Sequence, residues 1–225
     1  MRCHDYVCLL ALLPVVCAAQ GFPASREIVQ YSPAQAETMV RETIEQGFPP
    51  VLVDRVAVLV INRPEVAIPA LTGYIRTQYG LAMSDRSDFG VDTASRLIAY
   101  AGHTQSVRAI EELIALDPDR FPPLVRAVLD SASSWRNPYT VAYDAHETGS
   151  EAVRAEVERW VNSRVNSWVS RERWAEALQL RYPAGVSDAI LDNDPLIKVI
   201  QPEFAPVTRR AILDEVRQRS ERQRR

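Results

Sequence analysis

The chain has little cysteine and places all of it at one end: Cys3, Cys8 and Cys17 are the only three in 225 residues. If the first nineteen residues are removed, no disulfide, thiolate nucleophile or Cys-ligated zinc is available, and stability outside the cytosol has to come from the core. Histidine is as scarce, with only His103 and His146 beyond that segment. That count excludes metal or acid–base schemes needing several imidazoles. Glycine numbers eight and no long run alternates apolar with polar residues, so a β-rich architecture lacks both its turns and its strands. Lys198 is the single lysine among 26 basic residues, which is read as the mark of a GC-rich genome and carries no functional argument.

What is present begins with an export signal. Arg2 and the amino terminus give a short positive region, and Tyr6 to Val16 form an apolar stretch well short of the roughly 20 residues that span a bilayer. Small residues at Cys17 and Ala19 suit cleavage before Gln20, and Val16 with Ala18 offers an alternative cut one residue earlier. Pro14 argues against an uncleaved helical anchor, and Val15 and Val16 stand where a lipoprotein signal has small residues. The expected organisation is a signal peptide over 1–19, one all-helical domain over 20–205, and a basic C-terminal helix or frayed tail over 206–225. The expected location is periplasmic or secreted, with no transmembrane helix after cleavage.

Apolar residues recur at three and four positions through most of the body, so the fold class is all-α. Ser32-Pro33 opens a first helix that runs to Gly47. Val51 to Ile61 is apolar nearly all round and is expected at the centre of the core. Glu65 to Tyr79 follows, with a kink expected at Pro69. After a polar loop over 84–90, helices are expected at Asp92–Ala101, Gln105–Leu116, Phe121–Ser133 and Tyr139–His146. About thirty periodic residues from Ser150 to Tyr182 read as two helices with a break near Ser170, and a last helix begins near Pro206.

Asn62-Arg63-Pro64-Glu65-Val66 resembles the turn between the two helices of a HEAT-like repeat, and Gly102 to Leu116 is similar in register. The resemblance covers about residues 33–146 as up to three imperfect pairs, with turn-to-turn lengths varying between roughly 33 and 41 residues. It implies a short right-handed stack of helix pairs, α-solenoid-like, with a concave surface for a protein or peptide and no catalysis. A non-repetitive helical bundle is the other architecture open to this pattern.

The candidate chemistry is thin. Asp144-Ala145-His146-Glu147 lacks the second histidine of a zinc helix and reads as a solvated helix end, and His103 reads as a loop residue. Asp188, Asp192 and Asp194 form an acidic stretch, but the glycine and terminal glutamate of a calcium loop are missing. The aromatic and basic residues say more. Trp160 and Trp168 lie about eight positions apart, close to one helical face, with Arg164 and Arg171 nearby, and tryptophan and arginine dominate protein-binding energetics. The last seventeen residues hold seven arginines against three acids, among them Arg217, Arg219, Arg222, Arg224 and Arg225, a charge suited to an anionic polymer or lipid surface.

The expected function is therefore an exported, non-catalytic helical scaffold that binds a protein partner in the cell envelope. Trp160, Arg164, Trp168, Arg171 and the tail arginines form its contact surface, without cofactor, metal or nucleic acid. The competing expectation is a carboxylate-dependent cell-wall or small-molecule hydrolase, whose mark would be two acidic side chains converging in a cleft.

Overall fold

The computed structural model describes residues 31–132 and 136–224. The segment read as an export signal, with its three cysteines, lies outside the described residues. Among the described residues all regular structure is helical, and no helix is long and apolar enough to cross a membrane.

Helix α1 (Pro33–Glu45) starts as its sequence demands. Gln35 N–H donates to Ser32 Oγ at 3.3 Å and Ser32 N–H to Gln35 Oε1 at 2.9 Å, a reciprocal capping box with Pro33 at the first position. It closes with Gly47 and Phe48 both at positive φ, Gly47 N–H reaching Ile44 O and Phe48 N–H reaching Thr43 O at 2.8 Å. This is the Schellman pattern, and the strain at Phe48 is offset by burying its ring edge-on against Tyr74, centroids 5.2 Å apart.

Helices α2 (Pro50–Asn62) and α3 (Pro64–Tyr79) follow, the latter continuing through Pro69 without interruption. The expectation that α2 forms the centre of the core is corrected: only Val56, Leu59 and Val60 are buried along it, and Val51 is 66% exposed. Its composition is more apolar than its neighbours α1, α3 and α4 can cover, so apolar content overstated its depth.

Beyond the polar loop come α4 (Asp88–Tyr100), capped by Ser87, and α5 (Thr104–Ile114), then α6 (Pro123–Ala132), α7 (Pro138–Thr148), α8 (Glu151–Asn162) and α9 (Trp168–Arg181). The break between α8 and α9 falls at 163–167, with Ser167 as the cap in place of the expected Ser170. Two single-turn helices not anticipated from the sequence, α10 (Asp188–Leu191) and α11 (Pro195–Lys198), precede α12 (Ala205–Arg224).

Packing is ordered. Each helix from α1 to α7 contacts the next but one: α1, α3, α5, α7 and α9 touch in succession, as do α2, α4, α6 and α8, and α12 continues the odd row by packing on α9. The turns that open α3, α5, α7 and α9 carry Arg63, His103, Asn137 and Ser167 at their cap positions. His103 is thus more than a loop residue, since its Nδ1 accepts from Gln105 N–H at 3.3 Å. Burial, with the Arg136 charge assisting, holds its pKa below the ordinary histidine value.

Gly102 makes the α4–α5 turn possible. Its φ is +56°, and a Cβ there would stand 2.7 Å from the backbone nitrogen of Ala132 at the end of α6. Gly102→Ala is expected to cost about 2–4 kcal/mol, because neither the left-handed backbone nor the α6 main chain can give way. Chemical denaturation of the variant checks this, and a loss under 0.5 kcal/mol would mean the turn is not held against α6.

Candidate functional site

The C-terminal half concentrates the aromatic and charged groups, and α9 stands at their centre. Beneath it, the Tyr139 ring stacks on Trp174, centroids 4.7 Å apart, and meets Trp160 edge-on at 5.1 Å. Burial pushes the Tyr139 phenol up to about 12. Trp160 is 1% exposed and its Nε1–H donates to Asp130 Oδ1 at 2.9 Å. Arg164 lays its guanidinium over the Trp160 ring at 4.9 Å and pairs with the same Asp130.

The sequence-predicted set is therefore split by depth. Trp160 and Trp168 do not share a helix face, because the chain turns between them: Trp160 is part of the core in α8, while Trp168 opens α9 and is 64% exposed beside Val169 at 65%. Arg164 lies in the turn between the helices, half-buried, and Arg171 stands one turn after Trp168 on α9.

A second cluster escaped the sequence reading. Asp194 is fully buried, and its carboxylate accepts Leu196 N–H at 3.0 Å, Ile197 N–H at 3.1 Å, Tyr143 O–H at 2.9 Å and Tyr182 O–H at 3.3 Å. Trp174 Nε1–H in turn donates to the Tyr143 oxygen at 3.0 Å. One carboxylate so ties α7 and the end of α9 to the start of α11. Burial raises the Asp194 pKa above the ordinary carboxylate value, against the opposing pull of its hydrogen bonds, and burial together with the adjacent Asp194 charge raises Tyr143. Asp194-Pro195 is a readable cap signature, but nothing local pointed to Tyr143, 51 residues away. The acidic stretch does not act as a unit: Asp192 turns outward to Arg209 at 2.6 Å and Asp188 sits in the first turn of α10.

The odd-numbered helices are joined across their surface by arginine–carboxylate pairs. Arg76 on α3 meets Glu112 on α5, Arg108 on α5 lies 3.9 Å from Asp144 on α7, Arg181 on α9 meets Glu147 on α7, and Arg219 on α12 lies 3.8 Å from Glu172 on α9. Grooves run beside these pairs: about 390 Å³ between α3 and α5, about 270 Å³ between α7 and α9, and about 740 Å³ between α9 and α12. The carboxylates named here are each held by an arginine, a geometry that fixes neighbouring helices. Each exposed pair contributes at most about 1 kcal/mol.

The C-terminal arginines are less free than their count implies. The chain past Pro206 is helical and docked, with Thr208, Ile212, Leu213, Glu215 and Val216 buried. Arg217 pairs with Asp214 at 3.6 Å, Arg219 with Glu172, and Arg222 with the buried Glu215 at 2.7 Å. Arg225 and the side chain of Arg224 lie outside the described residues. Among the described residues no three potential ligands gather to hold a metal ion. His146, at the end of α7, instead faces Glu158 on α8 at 3.5 Å.

Comparison of the chain with protein-family models, with curated proteins and with solved structures returns no match. The geometry alone therefore carries the functional reading.

Proposed function

We propose that this chain is an exported, non-catalytic scaffold of helix pairs, HEAT-like in its turns and α-solenoid-like in its stacking, that binds a protein partner in the cell envelope. The observation that carries the reading is the next-but-one packing of helices, in which α2/α3, α4/α5 and α6/α7 pair and stack while the grooves between odd helices stay open. Stacked pairs bury a continuous core and leave an extended face for recognition. The pairing of Glu112, Asp144, Glu147 and Glu172 with arginines of neighbouring helices favours binding over the hydrolase alternative. The internal matching of Arg217, Arg219 and Arg222 favours a protein over an anionic polymer or lipid surface as the principal partner.

The test is purification of the tagged protein from gently solubilised envelope, with crosslinking and mass spectrometry. A protein partner at near-equal stoichiometry is the expected result. Turnover of a cell-wall fragment by the pure protein, with no partner recovered, would replace this reading by the enzymatic one.

A further inference from the structure

We infer that the first turn of α9 is a docking site for an acidic protein segment that carries an apolar side chain. This inference rests on the scaffold reading and names the chemistry of its partner.

Trp168 and Val169 are 64% and 65% exposed in adjacent positions, which spreads them around the helix as a broad apolar shelf. Such exposure of tryptophan stands out beside Trp160 and Trp174, which are each 1% exposed. Arg171 follows Trp168 by three positions and so shares its side of the helix. Among the described residues Arg171 has no carboxylate within ion-pair distance, and its Nε–H is enclosed without a hydrogen-bond acceptor.

The start of α7 brings a second cation to the side of α9. Asn137 Nδ2 donates to Arg173 O at 2.6 Å, which sets the start of α7 against α9, and the exposed Arg136 immediately precedes it without a carboxylate in ion-pair distance among the described residues. Elsewhere on the odd-helix face, Arg76, Arg108, Arg181, Arg219 and the tail pair Arg217 and Arg222 are each matched by an acid. Uncompensated positive charge and exposed aromatic surface therefore coincide at one corner. A carboxylate arriving there pairs with the Arg171 guanidinium, while an apolar side chain covers Trp168. A membrane fits less well. Two arginines fall short of the cluster of roughly four to eight basic residues that an anionic lipid surface attracts.

The test uses the purified protein and a fluorescein-labelled twelve-residue peptide in which Asp and Glu alternate with Leu and Phe. Two control peptides replace the acids by Lys or the apolar residues by Ser, and phosphatidylglycerol vesicles form a separate arm. Anisotropy is expected to show binding of the acidic apolar peptide alone, with a blue shift of tryptophan emission that disappears in Trp168→Phe. Arg171→Glu and Arg136→Glu are expected to weaken binding at least tenfold and Arg217→Glu to leave it unchanged. The exposed Arg136 serves as the arm safe from misfolding. Equal binding of the lysine peptide, equal loss in Arg217→Glu, no peptide binding at all, or vesicle binding through the same residues would overturn the inference. If an envelope partner is still captured and survives Arg136→Glu, the docking site fails while the scaffold reading stands.

Discussion

Replacing Asp194 by alanine is expected to destabilise the protein by about 3–4 kcal/mol, a large share of the stability of a domain this size. The substitution leaves the N–H groups of Leu196 and Ile197 without their cap and the hydroxyls of Tyr143 and Tyr182 without their acceptor, all at a site sealed from water. Asparagine keeps one acceptor for the backbone and offers an N–H₂ to the tyrosine oxygens, so Asp194→Asn is expected to lie within about 1.5 kcal/mol of the parent at neutral pH. The two variants differ in pH dependence as well. A carboxyl whose pKa is raised in the folded state contributes stability that is fully present below its unfolded value, near 3.8, and is lost as pH rises through the folded value. The stability of Asp194→Asn relative to the parent should therefore be highest near pH 7 and fall as pH approaches 4. Urea denaturation across that range measures it, and a pH-independent difference would show that Asp194 is not desolvated as its surroundings indicate.

The two tryptophans once grouped as a single surface are expected to separate cleanly. Trp160→Ala should cost about 3–5 kcal/mol, because it empties a fully packed site against Tyr139 and removes the plane on which Arg164 rests. Trp168→Ala should change stability by less than about 0.5 kcal/mol, since its ring stands largely in solvent. The measurement is a pair of denaturation curves, with binding assayed only on the folded variant. Equal destabilisation by both would place Trp168 in the core and remove the shelf on which the docking site depends.

These contrasts mark where sequence reasoning stops. Signals written in three or four adjacent residues were legible: Ser32-Pro33 opening α1, Gly102 turning between α4 and α5, and the helical period that excluded strands. Choices among equivalent local signals were not. Ser167 and Ser170 are both serines able to cap a helix, and only the packing of Ser170 into the interior left the cap to Ser167. Depth was misjudged wherever it depends on neighbours: α2 is more apolar than α4 yet lies nearer the surface, because burial is set by how many helices surround an element. The arginine pairs across α3, α5, α7, α9 and α12 join residues 34 to 47 positions apart in the chain, distances at which no local pattern operates. For the same reason Arg217, Arg219 and Arg222, which read as free in sequence, are folded against counter-charges.

The central claim, that this is a scaffold working through its exposed face, is tested most directly by photo-crosslinking in living cells. A benzophenone amino acid is placed in turn at positions 168, 51 and 207, all solvent-exposed in the free protein. The account predicts one discrete protein adduct from position 168, weakened by Arg136→Glu in the same chain. No protein adduct from any of the three positions, with the protein folded and present at normal level, would contradict it.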